Sequence, residues 1–412
     1  MNTDYDLLII GGGLVGASLA CAMSGQGLRI ALVEAVPLTT ASQPGYDDRV
    51  LALAQGTHRI FQGLGMWQAL EAAATPILNI HISDRGNPGV ARLDCREEGV
   101  EALGYVLEAR RIGAALAAGL QDQKGVDLLC PASLEAVEIQ PDVARALVRL
   151  DGQTVRLTAR LLVAADGANS RVRQQLGIDA LRWDYGQTAV IANVSPALPH
   201  GNTAYERFTA AGPLALLPMS EGRCAVVCTV DRRDRDAVLA LDDAAFLAHL
   251  QDRFGDRLGR FRRVGQRQDY PLFMVKSREH ARHRVAVIGN AAHTLHPIAG
   301  QGFNVGIRDV AVLAEVIIDA WRAGDDPGQL AVLERYANWR RWDQRRAIAF
   351  TDGLARLFVN PLPPLRLARN LGLLAFDLCP PVKRLLARQT MGLDGRLPRL
   401  ARGLPLLIQG VS

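Results

Sequence analysis

Short apolar runs and helical segments alternate along the first part of the chain. Residues 5–10 form an apolar run typical of a strand that is buried on both faces of a parallel sheet. A helical segment follows from 17 to 23, and a second apolar run covers 29–33. Two later apolar runs, 160–165 and 284–288, have the same character, and each ends in a polar turn that contains glycine. These runs predict the parallel strands of an α/β domain.

The middle of the chain has a different pattern, in which apolar and polar residues alternate with a period of two. Four such segments predict strands of an antiparallel sheet, namely 188–194, 204–209, 214–219 and 223–230. Side chains that face inward from this sheet would line a substrate pocket. The candidates are Tyr205, Leu216 and Pro218, with plain core packing as the alternative for each. After Pro327 the pattern is helical, with interruptions at Pro361, at 363–364 and at 380–381.

The 412 residues correspond to two or three domains. The buried strands and their turns indicate a discontinuous nucleotide-binding domain made of 1–75, 101–178 and 280–325. Residues 76–100 and 179–279 are assigned to a β-sheet domain that binds substrate, and 326–412 to a C-terminal helical region. The predicted fold class is therefore α/β.

Composition and charge exclude several classes of protein. The formal charge is +5, and all but three of the 47 basic residues are arginines, scattered among acidic residues rather than clustered. This distribution argues against nucleic-acid binding, which needs a basic stripe. Six cysteines without a CxxC pair and eight isolated histidines predict reduced thiols and no metal site. The 22 uncharged residues after Asp6 contain six glycines and follow no basic residue, so we expect a cytoplasmic protein without a signal peptide.

A glycine-rich turn follows the first predicted strand. Gly11, Gly13 and Gly16 fit the pattern G-x-G-x-x-G. The first glycine permits a tight turn, the second lets the backbone approach a pyrophosphate, and the third lets helix and strand pack closely. The second predicted strand ends in Glu34, at the distance along the chain where an acidic group hydrogen-bonds an adenosine ribose. The turn therefore predicts a site for FAD or NAD and does not decide between them.

A second loop has the sequence His296-Pro-Ile-Ala-Gly-Gln-Gly-Phe-Asn304 and precedes a helix that runs to about Trp321. Pro297, Gly300 and Gly302 predict a bent backbone whose amides point to one side. The helix presents the positive end of its dipole at the same place. Such a loop stabilises an electron-rich group, and a reduced flavin, with negative charge near N1, is one.

These two loops, together with the polar turns after 160–165 and 284–288, resemble the cofactor-binding motifs of the class A flavoprotein monooxygenases of the para-hydroxybenzoate hydroxylase type. The segment from His296 to Asp309 is similar to the signature of the ubiquinone-biosynthesis hydroxylases within that class. The resemblance runs from residue 4 to about 390. It implies a Rossmann-like FAD-binding domain, an antiparallel sheet that carries the substrate site, and a helical C-terminus. The chain has no second G-x-G-x-x-G, which agrees with transient docking of NAD(P)H on the flavin domain.

The resemblance also implies roles for individual residues. Glu34 would bind the ribose, and Asn290, where the family has aspartate, would contact the ribityl chain. His296 is the candidate for the general base. The glycines of the first turn would bind the pyrophosphate and Asp166 would lie beside it, with capping of the following helix as a compatible second role. The remaining candidates near the flavin are Arg49, Arg110 with Arg111 as its competitor, Pro297, Gly300, Gln301, Gly302, Phe303 and Asn304.

By this resemblance the expected reaction is hydroxylation of a polyprenylated phenol or methoxyphenol in ubiquinone biosynthesis. FAD, NAD(P)H and O₂ would take part, through a C4a-hydroperoxyflavin. Three alternatives stay open: a related hydroxylase of another ring position or another aromatic substrate, a flavin-linked reductase or halogenase, and a flavoprotein scaffold without catalysis.

Two C-terminal stretches, 365–378 and 382–391, mix leucines with basic residues. A basic amphipathic helix is suited to peripheral contact with the inner membrane or with another quinone-biosynthesis protein. The alternative is an ordinary helix that packs on the flavin domain with its arginines in water.

Overall fold

The computed structural model describes residues 3–37, 49–121, 125–360 and 362–406. Its strands are β1 (Tyr5–Ile10), β2 (Ile30–Val33), β3 (Val50–Ala54), β4 (Thr75–Ile77), β5 (Asn79–Asp84), β6 (Val90–Asp94), β7 (Gly104–Glu108), β8 (Val126–Leu129), β9 (Ala132–Ile139), β10 (Ala144–Leu150), β11 (Gln153–Ala164), β12 (Ala180–Pro196), β13 (Thr203–Phe208), β14 (Leu214–Pro218), β15 (Cys224–Asp231), β16 (Phe261–Val264), β17 (Gln268–Ser277), β18 (Ala281–Arg282), β19 (Val285–Val287) and β20 (His293–Thr294). Its helices are α1 (Leu14–Met23), α2 (Gln55–Gly63), α3 (Trp67–Glu71), α4 (Ala109–Gln121), α5 (Arg171–Gln175), α6 (Arg235–Leu239), α7 (Asp243–Phe254), α8 (Gln301–Arg322), α9 (Leu330–Val359), α10 (Pro363–Asp377) and α11 (Pro380–Thr390).

The first sheet contains the buried strands that the sequence predicts. Its order is β18-β19-β11-β1-β2-β8, and β1 pairs in parallel with both β2 and β11. The hairpin β9–β10 continues from β11 in antiparallel pairing. Helices α1, α4 and α8 cover one face, because their leucine, isoleucine and valine side chains form one core with the strands. Since β19 also pairs in parallel with β11, the four parallel strand predictions are confirmed.

The second sheet has nine strands in the order β20-β17-β12-β15-β14-β13-β5-β6, with β16 on β12. The four strands predicted in the middle of the chain pair antiparallel, as expected. The sheet is nevertheless mixed, because β13 pairs in parallel with β5, which comes from the segment 76–100. A smaller third sheet has the order β3-β7-β4.

The helical C-terminus is also confirmed, with α9, α10 and α11 following Pro327. Pro361 lies outside the described residues. Helix α10 packs on β6 and α9, so it lies along the outer edge of the second sheet. Among the described helices, none combines the length and the apolar character needed to cross a bilayer. The domain boundaries proposed from the sequence stay a prediction.

Candidate active site

A cavity of about 1430 Å³ lies between the two large sheets. On one side it is lined by the carboxyl ends of parallel strands, at Ile10, Val33 and Ala165, where open α/β sheets bind their ligands. On the other side it is lined by the inner face of the second sheet, and α9, α10 and α11 contribute further walls. Pockets for one small molecule usually measure about 300–1,000 Å³, so this cavity has room for a cofactor and a second molecule.

The first glycine turn has the geometry that its spacing predicts. Gly11 has a φ of +106°, and a Cβ there would lie 2.5 Å from the carbonyl oxygen of Ala165. A Cβ on Gly16 would lie 1.8 Å from the carbonyl oxygen of Gly11, so α1 packs against the turn only because residue 16 has no side chain. Gly13, in contrast, has no atom within 4 Å of the Cβ position and lines the cavity. A ligand phosphate can therefore approach the backbone at Gly13.

Glu34 follows β2 directly and lines the same cavity. Its carboxylate accepts hydrogen bonds from the backbone amides of Gly12, at 2.6 Å, and Val36, at 2.8 Å. These bonds hold the carboxylate against the glycine turn. The predicted ribose contact thus starts from a side chain whose orientation is already set.

Asp166 follows β11 and also lines the cavity. Its Oδ2 accepts a hydrogen bond from the backbone amide of Val172, so it helps to cap α5, together with Ser170, the N-cap residue. Its buried Oδ1 has no partner among the described residues. Burial raises the pKa of Asp166, and hydrogen bonds from Ser170 and Val172 partly offset that rise. An unpartnered carboxylate oxygen beside a cavity fits a ligand that brings a hydroxyl or amide donor.

The turn that carries Asn290 is held from behind by Asp309. Gly289 has a φ of +58°, and its amide donates to Asp309 Oδ2 at 3.1 Å. Asn290 is exposed on the cavity side of this turn, where the sequence predicts the ribityl contact.

The carboxylate of Asp309 is fully buried and has four hydrogen-bond partners. Besides the amide of Gly289, Oδ2 contacts His293 Nε2 at 2.6 Å. Oδ1 accepts from Arg340 Nε at 2.7 Å and from Gln344 Nε2 at 2.9 Å. Burial alone would raise the pKa of Asp309, but His293 and Arg340 outweigh it and lower the pKa below its ordinary value. In the sequence, Asp309 stands out only as the end of the signature segment, and the structure assigns it a role in supporting the Asn290 turn.

The second loop is bent at Ala299 and Gly300, whose φ angles are +56° and +60°. The bend delivers the chain to Gln301, the first residue of α8, and Gly302 and Phe303 follow on the cavity lining. Pro297 lines the cavity as well. The N-terminus of a helix of 22 residues thus points at the cavity, and its positive dipole end favours negative charge there.

Asn304 positions this loop through its side chain. Its Oδ1 accepts from the amide of Ala54 and the hydroxyl of Thr57, and its Nδ2 donates to the carbonyls of Ala52 and Gly300. These four bonds use the full hydrogen-bonding capacity of the amide group. Asn304 therefore connects β3 to α8. Because its side chain is fully hydrogen-bonded, only its backbone is left for the predicted contact with a cofactor.

The two arginines predicted beside a flavin lie in different places. Arg49 lines the cavity, with its guanidinium 4.9 Å from the centre of the Tyr270 ring. Arg110 is about half exposed on α4, donates to Glu108 at 2.8 Å, and is not among the residues that line the cavity. Its competitor Arg111 is also exposed beside Glu108. Of the arginines predicted to lie near the flavin, only Arg49 lines the cavity.

His296 does not line the cavity. Its ring is fully buried, packs edge-on against Tyr185 at 4.9 Å, and has Gln187 Oε1 3.4 Å from Nε2. Burial lowers the pKa of His296 to about 4, and Asp352 offsets only part of this. A ring in this position supports the loop from behind, and this geometry argues against the predicted role as general base.

Of the three residues predicted to face inward from the second sheet, two need correction. Leu216 lies in the core between the sheet and α7, and neither Leu216 nor Pro218 lines the cavity. Tyr205 does line it, although its ring packs edge-on against Phe254. Because side chains alternate along a strand, most of the cavity face of β13 and β14 is formed by the adjacent positions. These are Ala204, Glu206, Phe208, Ala215 and Leu217.

Glu206 is a cavity carboxylate that the sequence analysis missed. Its Oε2 accepts a hydrogen bond from the amide of Ala299 at 3.4 Å. The alternation of β13 was a usable signal, since an acidic residue within an apolar strand face is uncommon.

The arrangement fits FAD. The open approach at Gly13 suits a pyrophosphate, and the preset carboxylate of Glu34 and the unpartnered oxygen of Asp166 suit hydroxyl groups of the attached sugars. The N-terminus of α8 lines the same cavity and would favour the negative charge that a flavin ring gains on reduction, and the apolar sheet face remains for a second molecule.

Comparison with known proteins gives a consistent result. The FAD binding domain family matches residues 4–351. The chain is 42% identical over 405 residues to ubiquinone hydroxylase UbiL of Rhodospirillum rubrum. This alignment covers 97% of this chain and 93% of that protein. It is 31% identical over 396 residues to 3-demethoxyubiquinol 3-hydroxylase of Escherichia coli, with 95% and 100% covered.

Solved structures share the fold. The crystal structure of p-nitrophenol 4-monooxygenase PnpA from Pseudomonas putida DLL-E4 superposes with a TM-score of 0.79. It covers 96% of this chain and 100% of its own, at 20% sequence identity. The predicted α/β class, with a helical C-terminus, is confirmed by this match.

Proposed function

Since this chain belongs to the FAD binding domain family, as an FAD-dependent monooxygenase of the ubiquinone-biosynthesis hydroxylase group, we propose that it hydroxylates the ring of a polyprenylated phenol or methoxyphenol. NAD(P)H is the proposed reductant and O₂ the source of the oxygen atom. The observation that carries the proposal is the continuity of the cavity. Its nucleotide end, lined by Gly13, Glu34 and Asp166, opens directly into an apolar chamber beneath the second sheet. An apolar chamber suits a lipid-like ring, and the excess volume suits its tail.

FAD, when bound, supplies the redox chemistry through which O₂ becomes a hydroxylating agent. The chain's own residues do the rest. The glycine turn and Glu34 hold the nucleotide, and the Asp309 network holds the turn that carries Asn290. The first amides of α8 stabilise negative charge at the flavin edge, and Phe208 and Leu217 keep water from the ring.

The first test is turnover by purified protein loaded with FAD. We expect oxidation of NADH or NADPH to depend on a polyprenylated phenol and to yield one hydroxylated product per O₂ consumed. Mass spectrometry identifies the product and its ring position. Release of hydrogen peroxide without any hydroxylated product, across phenols with and without the methoxy group, would contradict the proposal. Bound flavin that neither NADH nor NADPH reduces in the presence of a phenol would favour a scaffold.

We also propose that α10 and α11 contact an anionic membrane surface, from which the substrate enters. Four leucines are widely exposed on this region: Leu367 at 63%, Leu371 at 56%, Leu378 at 82% and Leu385 at 60%. Leu367, Leu371 and Leu378 recur at helical spacing along α10 and its C-terminal cap, and Leu385 lies on α11, so these four residues are called the exposed stripe. Arg384 and Arg388 are exposed on α11. Apolar side chains flanked by arginines are typical of helices that lie in a bilayer interface.

The inner faces of the same helices line the cavity through Leu373, Phe376 and Leu386. A polyprenyl tail leaving the bilayer would therefore meet the cavity wall directly behind the exposed stripe. This placement favours a lipid surface over a protein partner as the occupant.

The double substitution L371E/L378E is expected to abolish sedimentation with vesicles that contain anionic phospholipid, because two charges would enter the apolar interface. Turnover of a short-chain, water-soluble phenol should stay unchanged. L198E, at a leucine that is 52% exposed in a turn of the second sheet, is the matched control and should sediment like the unmodified protein. Equal sedimentation of all three proteins would refute the membrane contact and leave a protein partner as the occupant.

A further inference from the structure

Glu206 is the only carboxylate on the apolar side of the cavity among the described residues. The charged residues that line the whole cavity are Glu34, Arg49, Asp166, Arg171, Glu206 and Arg369. Of these, Glu34, Asp166 and Arg171 belong to the nucleotide end, where they adjoin the glycine turn and the helix after β11. Arg369 lies on α10 and is paired with Asp84 at 2.9 Å. Glu206 therefore faces the proposed ring site without a cation paired to it in the described chain.

The residues that flank Glu206 in the second sheet are apolar. In the sheet register, β5 places Ile82 beside it and β14 places Ala215 beside it. Its neighbour on the same strand face is Phe208, which packs with Ile298 of the loop in a small hydrophobic cluster. Arg49, the remaining cation of this part of the lining, stacks over Tyr270. A carboxylate in such a place is retained at a cost in solvation, unless a ligand group pairs with it.

The single hydrogen bond that the described residues give Glu206 comes from the amide of Ala299, at 3.4 Å. Ala299 is the bend of the loop that leads into α8 and has a left-handed backbone. Glu206 thus stands between the ring chamber and the loop at the flavin edge. A long bond of this kind leaves the carboxylate able to accept a stronger one from a ligand.

We propose that Glu206 binds the ring hydroxyl of the substrate and accepts its proton. This inference rests on the proposed function, since it concerns a phenol in the same chamber. In the step, the O–H bond of the phenol breaks, the proton moves to a carboxylate oxygen of Glu206, and the electron pair remains on the phenol oxygen. The added electron density passes into the ring and makes it a better nucleophile towards electrophilic oxygen.

The electrostatics of the site agree with this role. Burial raises the pKa of Glu206 to about 7, and the hydrogen bond from Ala299 offsets the rise only in part. A general base works best with a pKa near the operating pH. His296, the candidate suggested by the sequence, is turned away from the cavity, so Glu206 replaces it in the assignment.

The first experiment measures turnover of E206Q and E206D across pH with the FAD-loaded enzyme. For the unmodified protein we expect kcat to fall as pH drops through about 7, because the base becomes protonated. E206Q should lose roughly 10²-fold or more in kcat and lose that acidic limb, with flavin content unchanged. E206D should recover part of the rate. A kcat for E206Q within roughly twofold of the unmodified protein, with the limb retained, would overturn the inference.

The second experiment reads the same group without turnover. The probe is a short-chain methoxyphenol, and its binding is followed through the absorption of bound FAD. Affinity for the unmodified protein should weaken as pH falls below about 7, and affinity for E206Q should be weak and independent of pH. Binding by both proteins with the same pH dependence would overturn the inference. Normal binding behaviour with no hydroxylated product would overturn the proposed function alone.

Stability gives a third readout. A carboxyl group whose pKa is higher in the folded than in the unfolded state costs stability as pH rises from its unfolded pKa of about 4.5 to its folded pKa of about 7. E206Q should therefore unfold at a higher temperature than the unmodified protein at about pH 8.5 and at the same temperature at about pH 5. If E206Q instead unfolds at a lower temperature than the unmodified protein at about pH 8.5, Glu206 is paired within the protein and is not available to bind a phenol.

Discussion

Replacement of Asp309 by asparagine is expected to lower the free energy of unfolding by about 3–5 kcal/mol and to weaken FAD binding. An asparagine amide would remove the countercharge of buried Arg340 and would turn N–H donors towards the amide of Gly289. The turn that carries Asn290 would lose its anchor at the same time. Urea unfolding of the apoprotein measures the first effect, and titration with FAD measures the second.

The pH dependence of this prediction has a definite sign. The pKa of Asp309 is lowered in the folded state, so its contribution is complete above its unfolded pKa of about 3.9 and is lost as pH falls through the folded value. The difference between the unmodified protein and D309N should therefore be largest near neutral pH and shrink in acid. D325N, at an exposed aspartate just beyond α8, is the matched control and should be neutral. Unfolding of D309N at the same urea concentration as D325N would show that the buried network adds no stability.

Replacement of Gly16 by alanine is expected to give a protein that binds no FAD. The new Cβ would lie 1.8 Å from the carbonyl oxygen of Gly11, so α1 has to move away from the turn that it organises. We expect colourless protein after purification and a large drop in thermal stability. A yellow protein with a full complement of FAD would contradict the close packing of helix and turn.

Two other glycines separate packing from ligand contact. G13A should fold as stably as the unmodified protein, because the Cβ position is empty to 4 Å, but should bind FAD weakly because that space belongs to the approaching phosphate. G119A lies within α4 with only ordinary contacts around its Cβ position, so it should retain FAD and gain a little stability. Normal FAD affinity in G13A would place the pyrophosphate elsewhere.

The nucleotide half of the molecule could be predicted because its requirements are local. The strand, the turn of Gly11 to Gly16 and the strand ending in Glu34 are contiguous in the chain, and each glycine has a steric reason that its spacing reveals. The loop at 296–304 was predictable for the same reason, since proline and glycine determine its backbone.

The substrate half depends on pairing between distant segments, and here the prediction was partly wrong. Alternation identified β13 and β14 but did not decide which face meets the cavity, and a shift of one residue exchanges Leu216 for Leu217. The parallel pairing of β13 with β5 joins segments more than a hundred residues apart, and no local pattern announces it. The contact of His296 with Tyr185, which comes from β12 far along the chain, is likewise not announced by any local pattern.

The second sheet also extends to the segment just before the loop at 296–304, because β20 pairs with β17 at Thr294 and His293. Backbone hydrogen bonds therefore connect the chamber for the ring with the loop that faces the cofactor. We expect these backbone hydrogen bonds to determine the distance between the flavin and the substrate ring. Substitution of side chains should therefore leave that distance unchanged. Substitutions that enlarge or reshape the chamber should therefore change which phenols the enzyme accepts without changing the position of the ring relative to the flavin. This makes the fold a practical starting point for altering substrate range.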